Sequence, residues 1–90
     1  MKLTEKELID LREQLSSLEH DQWIYWSKGI ANVVDIDISS EVRNRWKKYW
    51  IPYEDLSEDE KETDRQFADE VIELLKLKGI LEIIQLDEEK

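Results

Sequence analysis

Apolar residues recur at steps of three and four near the start of this chain: Leu8, Leu11, Leu15, Leu18, then Gln22, Trp26 and Ile30. That spacing places them on one helical face, with Gln22 as the polar member. Thr4 followed by Glu7 has the form of a capping box, and Leu3 and Leu8 sit where a hydrophobic staple requires them. Trp23 stands beside the stripe, and Gly29 is a natural helix end. The pattern predicts a helix from about Thr4 to about Lys28.

Beyond it, Val34, Ile36 and Ile38 alternate with Asp35 and Asp37, as in a loop or a short extended piece. Ser39 and Ser40 with Glu41 open a second helix, near 40–50, whose apolar face is Val42, Trp46, Tyr49 and Trp50. Pro52 disfavours helical geometry at Ile51 and ends it. Ser57 and Glu60 form a second capping box, and the acids from Glu58 to Glu62 suit the positive end of a helix. Phe67, Val71, Leu74 and Leu75 give the third stripe, on a helix near 57–78 that Gly79 terminates. Residues 80–86 are apolar and β-branched. They predict a short strand, beside residues 33–38, or an extended tail on the helices, with Asp87 to Lys90 frayed. The expected fold is mainly α: a small three-helix domain with a Pro-Tyr turn between helices 2 and 3 and a short C-terminal extended element. Ninety residues make a single domain, 1–90.

Composition narrows the chemistry. The net charge is −10, with −2 in residues 1–30, +1 in residues 31–53 and −9 in residues 54–90. A protein that tracks nucleic-acid backbone needs a broad basic face. Only Arg43, Arg45, Lys47 and Lys48 cluster, so general nucleic-acid binding is not expected. Absence of cysteine and the single histidine argue against disulfides and a Cys/His metal site. No apolar run approaches the roughly 20 residues that span a bilayer. The charged start, Met-Lys-Leu-Thr-Glu-Lys-Glu, lacks the apolar core of a signal peptide. The expected setting is cytoplasmic, away from membranes. No nucleophile with a base, Gly-rich phosphate loop, paired carboxylates or metal spacing is present, so the chain is not expected to be an enzyme or to need a cofactor.

The run from Trp50 to Arg65, Trp-Ile-Pro-Tyr-Glu-Asp-Leu-Ser-Glu-Asp-Glu-Lys-Glu-Thr-Asp-Arg, resembles the ryanodine-receptor repeat (RyR) domain. That family reads hydrophobic-Pro-Tyr, then Leu, then Lys, then Asn/Asp-Arg. Pro52, Tyr53, Leu56, Lys61 and Arg65 keep type and spacing. His20 and Trp23 match the family's His-x-x-Trp on its first helix. The likeness covers about residues 18–80 and is closest to small free-standing bacterial and phage versions. In the receptors the family's Gly-Trp-x-Tyr-Gly segment implies an adenine-nucleotide site lined by aromatics; this chain has Trp26-Ser-Lys-Gly-Ile there.

The candidate ligand-binding residues are His20, Trp23, Tyr53, Lys61 and Arg65. His20, Trp23 and Ser27 share a helical face, offering an imidazole donor beside an indole plate. Alternatively, Trp23 is core and His20 caps a polar cluster at its rim. Lys61 and Arg65 present donors to a phosphate or carboxylate; alternatively, Lys61 pairs with Asp64 while Arg65 holds the Pro52-Tyr53 turn. The aromatics Trp23, Trp26, Trp46, Tyr49, Trp50 and Tyr53 are either a small core or the wall of a cleft.

Two functions follow. One is a non-enzymatic small-ligand module that takes a nucleotide or nucleotide-derived signal in an aromatic cleft. The other is an acidic protein-interaction module, of the kind a phage accessory or inhibitor protein would be, docking on a basic partner. The heptad-like leucines of the first helix also predict pairing with a second copy.

Overall fold

The structure is a computed structural model that describes residues 1–32 and 40–84. Strand β1 is Lys2–Leu3, helix α1 Glu5–Ala31, α2 Ser40–Lys47, α3 Glu58–Leu77 and β2 Glu82–Ile83. A single 3₁₀ turn, Tyr53–Asp55, joins α2 to α3. The mainly helical three-helix fold is as the sequence predicts. The alternating segment 33–38 and the tail 85–90 lie outside the described residues.

Both capping boxes form. The Thr4 hydroxyl accepts from the Glu7 amide, the Ser57 hydroxyl accepts from the Glu60 amide, and each glutamate reaches back to its cap's N–H. Two of the four unpaired donors at each helix start are thus satisfied. Helix α3 stops where glycine permits it. Gly79 has φ +73°, its N–H donates to Lys76 O at 3.0 Å, and Ile80 N–H donates to Leu75 O at 3.0 Å. This is a Schellman motif, which tolerates a non-glycine residue poorly because a Cβ is strained in the left-handed region. Gly29, by contrast, ends nothing: α1 runs through it to Ala31. Helix α2 stops at Lys47, earlier than Trp50, and continues as turns in which Tyr49 and Trp50 donate to Trp46 O and Lys47 O.

After Gly79 the chain reverses, and β2 pairs with β1 in parallel, Lys2 beside Glu82 and Leu3 beside Ile83. The partner of the C-terminal strand is therefore the start of the chain, where the sequence analysis had looked to residues 33–38. The N-terminal ammonium donates to Ile80 O at 2.7 Å, and Leu81 is buried beneath the pair.

Helices α1 and α3 run antiparallel, with Arg12 against Asp69 at one level and His20 against Asp64 at another. The seam between them differs from the leucine pattern. On α1 the buried positions are Ser16, His20, Ser27 and Ala31; on α3 they are Ala68 and Ile72. Leu8, Leu11 and Leu15 are half-buried, and Leu18 and Trp26 are exposed. On α3 the stripe Phe67, Val71 and Leu74 is exposed. Small side chains win the seam because they let helix axes and the 3₁₀ turn approach closely. Their hydroxyls cost nothing there: Ser16 Oγ donates to Arg12 O at 2.7 Å and Ser27 Oγ to Ile24 O at 3.3 Å.

Helix α2 lies against the C-terminal half of α1 through rings. Trp46 meets Trp23 edge-on at 6.2 Å and Trp26 at 6.0 Å, and Tyr49 meets Trp23 at 6.3 Å. Trp50 Nε1 donates to Ser27 Oγ at 2.8 Å, and Arg43 Nη2 donates to Ala31 O at 2.8 Å. Trp46 itself stays partly exposed. The overall shape is long and thin, 61 × 27 × 14 Å, with a radius of gyration of 17.3 Å. A compact chain of this length has about 12 Å.

If the seam is set by small residues, enlarging one should hurt more than its chemistry suggests. Ala68 is 2% exposed, so Ala68→Leu should cost about 2 kcal/mol by overpacking, read as a lowered melting temperature. An unchanged melt would show that α3 does not pack through Ala68.

Candidate functional site

The turn between α2 and α3 is held by polar contacts from α1. His20 is 4% exposed, and its Nε2 lies 2.8 Å from Ile51 O. A carbonyl only accepts, so Nε2 carries the hydrogen. Its other nitrogen, Nδ1, faces Asp64 Oδ2 at 3.5 Å. Asp64 is pushed above the usual carboxylate range, chiefly by burial, with His20 opposing and Glu19 reinforcing the shift.

Two turns earlier on α1, Glu13 collects three donors. Arg65 gives it a fork, Nε to Oε2 at 2.7 Å and Nη2 to Oε1 at 2.9 Å, and the Tyr53 hydroxyl donates to Oε1 at 3.0 Å. Arg65 Nη1 is spent on Glu58 at 3.0 Å and Glu62 at 3.5 Å. Hydrogen bonding from Arg65 holds Glu13 below its ordinary range, and the same bond raises Arg65. Tyr53 is raised, first by burial and then by donating to Glu13.

Lys61 is also committed. Its Nζ sits 5.4 Å from the centre of the Tyr53 ring and 3.6 Å from Glu58. The expected Lys61–Asp64 pair is thus replaced by Lys61–Glu58, while Asp64 turns to His20. Across the α1–α3 seam, Arg12 binds Asp69 through Nε at 2.7 Å and Nη2 at 2.9 Å.

Beside this scaffold a cleft of about 360 Å³ opens between α1, α3 and the end of α2. Its walls are the rings of Trp23, Tyr49 and Phe67, with Leu56 buried beneath. The His20 ring is stacked on Trp23, 6.1 Å away at 20°. Three carboxylates, Glu19, Glu60 and Asp64, share the same lining. Among the described lining residues none is lysine or arginine.

The five sequence candidates therefore divide. His20 and Trp23 line the cleft. Tyr53 is buried behind it, and Lys61 and Arg65 serve the turn and Glu13. Of the two roles open to Arg65, the geometry supplies the anchoring one, through Glu13 and Glu58. Glu19, Tyr49, Leu56, Glu60, Thr63, Asp64 and Phe67 complete the lining; of these the sequence offers only Tyr49 as a cleft wall. Glu13 escaped it too, although its spacing to Ser16 and His20 puts all three on one face of α1. Among the described residues no group of His, Cys, Asp or Glu is placed to hold a metal, and no helix is long and apolar enough to cross a membrane. Comparison of the chain with models of protein families, with curated proteins and with solved structures finds no match.

Two outcomes test this scaffold. Arg65→Ala leaves Glu13 with one donor in place of three and should cost about 2 kcal/mol; Arg65→Lys, which cannot form the fork, should recover little of it. Glu13 has a folded pKa below its ordinary value of 4.5. Its stabilisation is therefore complete above that value and lost as pH falls through the lower folded one. Acid titration of the melting temperature should be shallower in Glu13→Gln than in the parent; parallel curves would remove Glu13 from the acid transition.

Proposed function

We propose that this chain is a non-enzymatic binding module whose cleft receives a cationic group, a lysine or arginine side chain of a basic protein partner. The observation that carries the reading is the lining: three aromatic rings and three carboxylates around one concave site with no lysine or arginine among its lining residues. Ring faces attract an ammonium or guanidinium, and nearby carboxylates add to that attraction in a partly desolvated setting. The volume of about 360 Å³ suits one side chain and its neighbours. The charge of the whole chain, −10, would guide a basic partner toward it.

Of the two functions drawn from the sequence, these electrostatics favour docking on a basic partner. A nucleotide would bring phosphates to Glu19, Glu60 and Asp64, and the guanidinium and ammonium meant to meet them are engaged by Glu13 and Glu58. An uncharged base finds no such obstacle, since Trp23 and Tyr49 offer stacking surfaces. We further propose that the chain is a member of the RyR domain family. What supports this is the meeting of its diagnostic residues: His20 holds the carbonyl before Pro52, and Arg65 and Tyr53 share one carboxylate.

Calorimetric titration with a short arginine- and lysine-rich peptide, adenosine and AMP separates the readings. The peptide should bind, with affinity falling steeply as salt rises. Glu19→Gln should weaken it about fivefold to tenfold, equivalent to roughly 1 kcal/mol. AMP binding more tightly than adenosine, with no response to the peptide, would overturn the cationic reading.

A further inference from the structure

Helix α1 and helix α3 each keep their most apolar stripe out of the seam that joins them. On α3, Phe67 is 51% exposed, Val71 43% and Leu74 54%; on α1, Leu18 is 55% exposed. These are one surface. Leu15, Leu18, Phe67 and Val71 line a single shallow groove of about 170 Å³ between the two helices. Leu11 extends it on α1 and Leu74 on α3 by helical spacing. Two antiparallel helices with such a shared face form half of a four-helix bundle.

We infer that a second copy of this chain covers that face, so that α1 and α3 of two protomers form a four-helix bundle about a twofold axis. The four half-exposed side chains alone leave on the order of 400 Å² of apolar surface, toward the roughly 800 Å² per partner of a standard interface. Flanking Leu11, Leu15 and Gln22 supply more. Two ridges with a groove between them are self-complementary, because a twofold operation sets the ridge of each copy over the groove of the other.

The thinness of the monomer points to a partner that is always present. Only Ala31, Tyr53, Leu56, Ala68, Ile72 and Leu81 are buried apolar residues among the described ones. That is little for a chain of this length, and a dimer moves the leucine and phenylalanine stripes into the missing core. A foreign partner that came and went would leave this surface in water between encounters. The net charge of −10 opposes pairing, so association should tighten as salt rises, the reverse of the cleft's behaviour toward a basic peptide.

Phe67 belongs to both surfaces, as a wall of the cleft and of the groove. Pairing would fix its ring and so complete one side of the cleft.

Sedimentation equilibrium and thermal melts of the full chain test the inference. The expected mass is twice the 10.9 kDa of one chain, with a melting temperature that rises by a few degrees for each tenfold increase in concentration over about 1–100 µM. Val71→Glu and Leu18→Glu should each give the single-chain mass at concentrations where the parent is dimeric. Ile9→Glu, at a 61% exposed position on the other side of α1 from Leu11, Leu15 and Leu18, should leave the dimer intact. A single-chain mass throughout, with a melt independent of concentration, would overturn the inference, as would a dimer that survives both groove substitutions.

Discussion

The carboxylate of Glu13 joins three parts of the chain that are far apart in sequence. Its two oxygens take the fork of Arg65 from α3 and the hydroxyl of Tyr53 from the turn, while its own backbone belongs to α1. Together with the His20 contact to Ile51 O and the Arg12–Asp69 fork, that meeting point sets the height of the 3₁₀ turn along α1 and the rotation of α3. Apolar packing alone supplies less definition, because Ser16, His20 and Ala68 are buried beside Ile72. Dispersion between small groups brings the helices close but discriminates poorly between registers; a charge-assisted fork with one geometry discriminates strongly.

That arrangement also decides the character of the cleft. The nearest cations of α3 are held elsewhere, Lys61 by Glu58 and Arg65 by Glu13, Glu58 and Glu62. Glu19, Glu60 and Asp64 are left facing the aromatic rings. Burial of Asp64 and its contact with His20 add a polar floor. A cleft of one sign thus arises from the same ion pairs that build the fold.

The helices and the ends set by local chemistry were legible in the sequence: Thr4/Glu7, Ser57/Glu60 and Gly79 act within one turn of themselves. Gly29 and Pro52 were poorer guides, since α1 runs on to Ala31 and α2 stops at Lys47, well before the proline. The packing faces were not legible. Periodicity picks out the leucines of α1 and Phe67, Val71 and Leu74 of α3 as faces that avoid water, without saying whether a neighbouring helix or a second copy covers them. The burial of Ser16 and Ala68 between α1 and α3, and of Ser27 under Trp50, depends on the close approach of distant segments, which no short window of sequence displays. The site shows the same division. His20 and Trp23, one turn apart on α1, were read as an edge of the cleft. Arg65 could be named as a candidate anchor, but Glu13 as its partner lies 52 residues away.

The parallel pairing of β1 with β2 has a mechanical consequence. Both strands point the same way, so tension applied to the two ends of the chain would draw β1 backward and β2 forward along a common line. The hydrogen bonds from Met1 to Ile80, from Glu82 to Met1 and from Ile84 to Leu3 would then be loaded together in shear. A hairpin pulled at its open end instead parts one bond at a time. This short ladder therefore works as a clasp, and the helices behind it would feel a pull only after all of its bonds had failed at once.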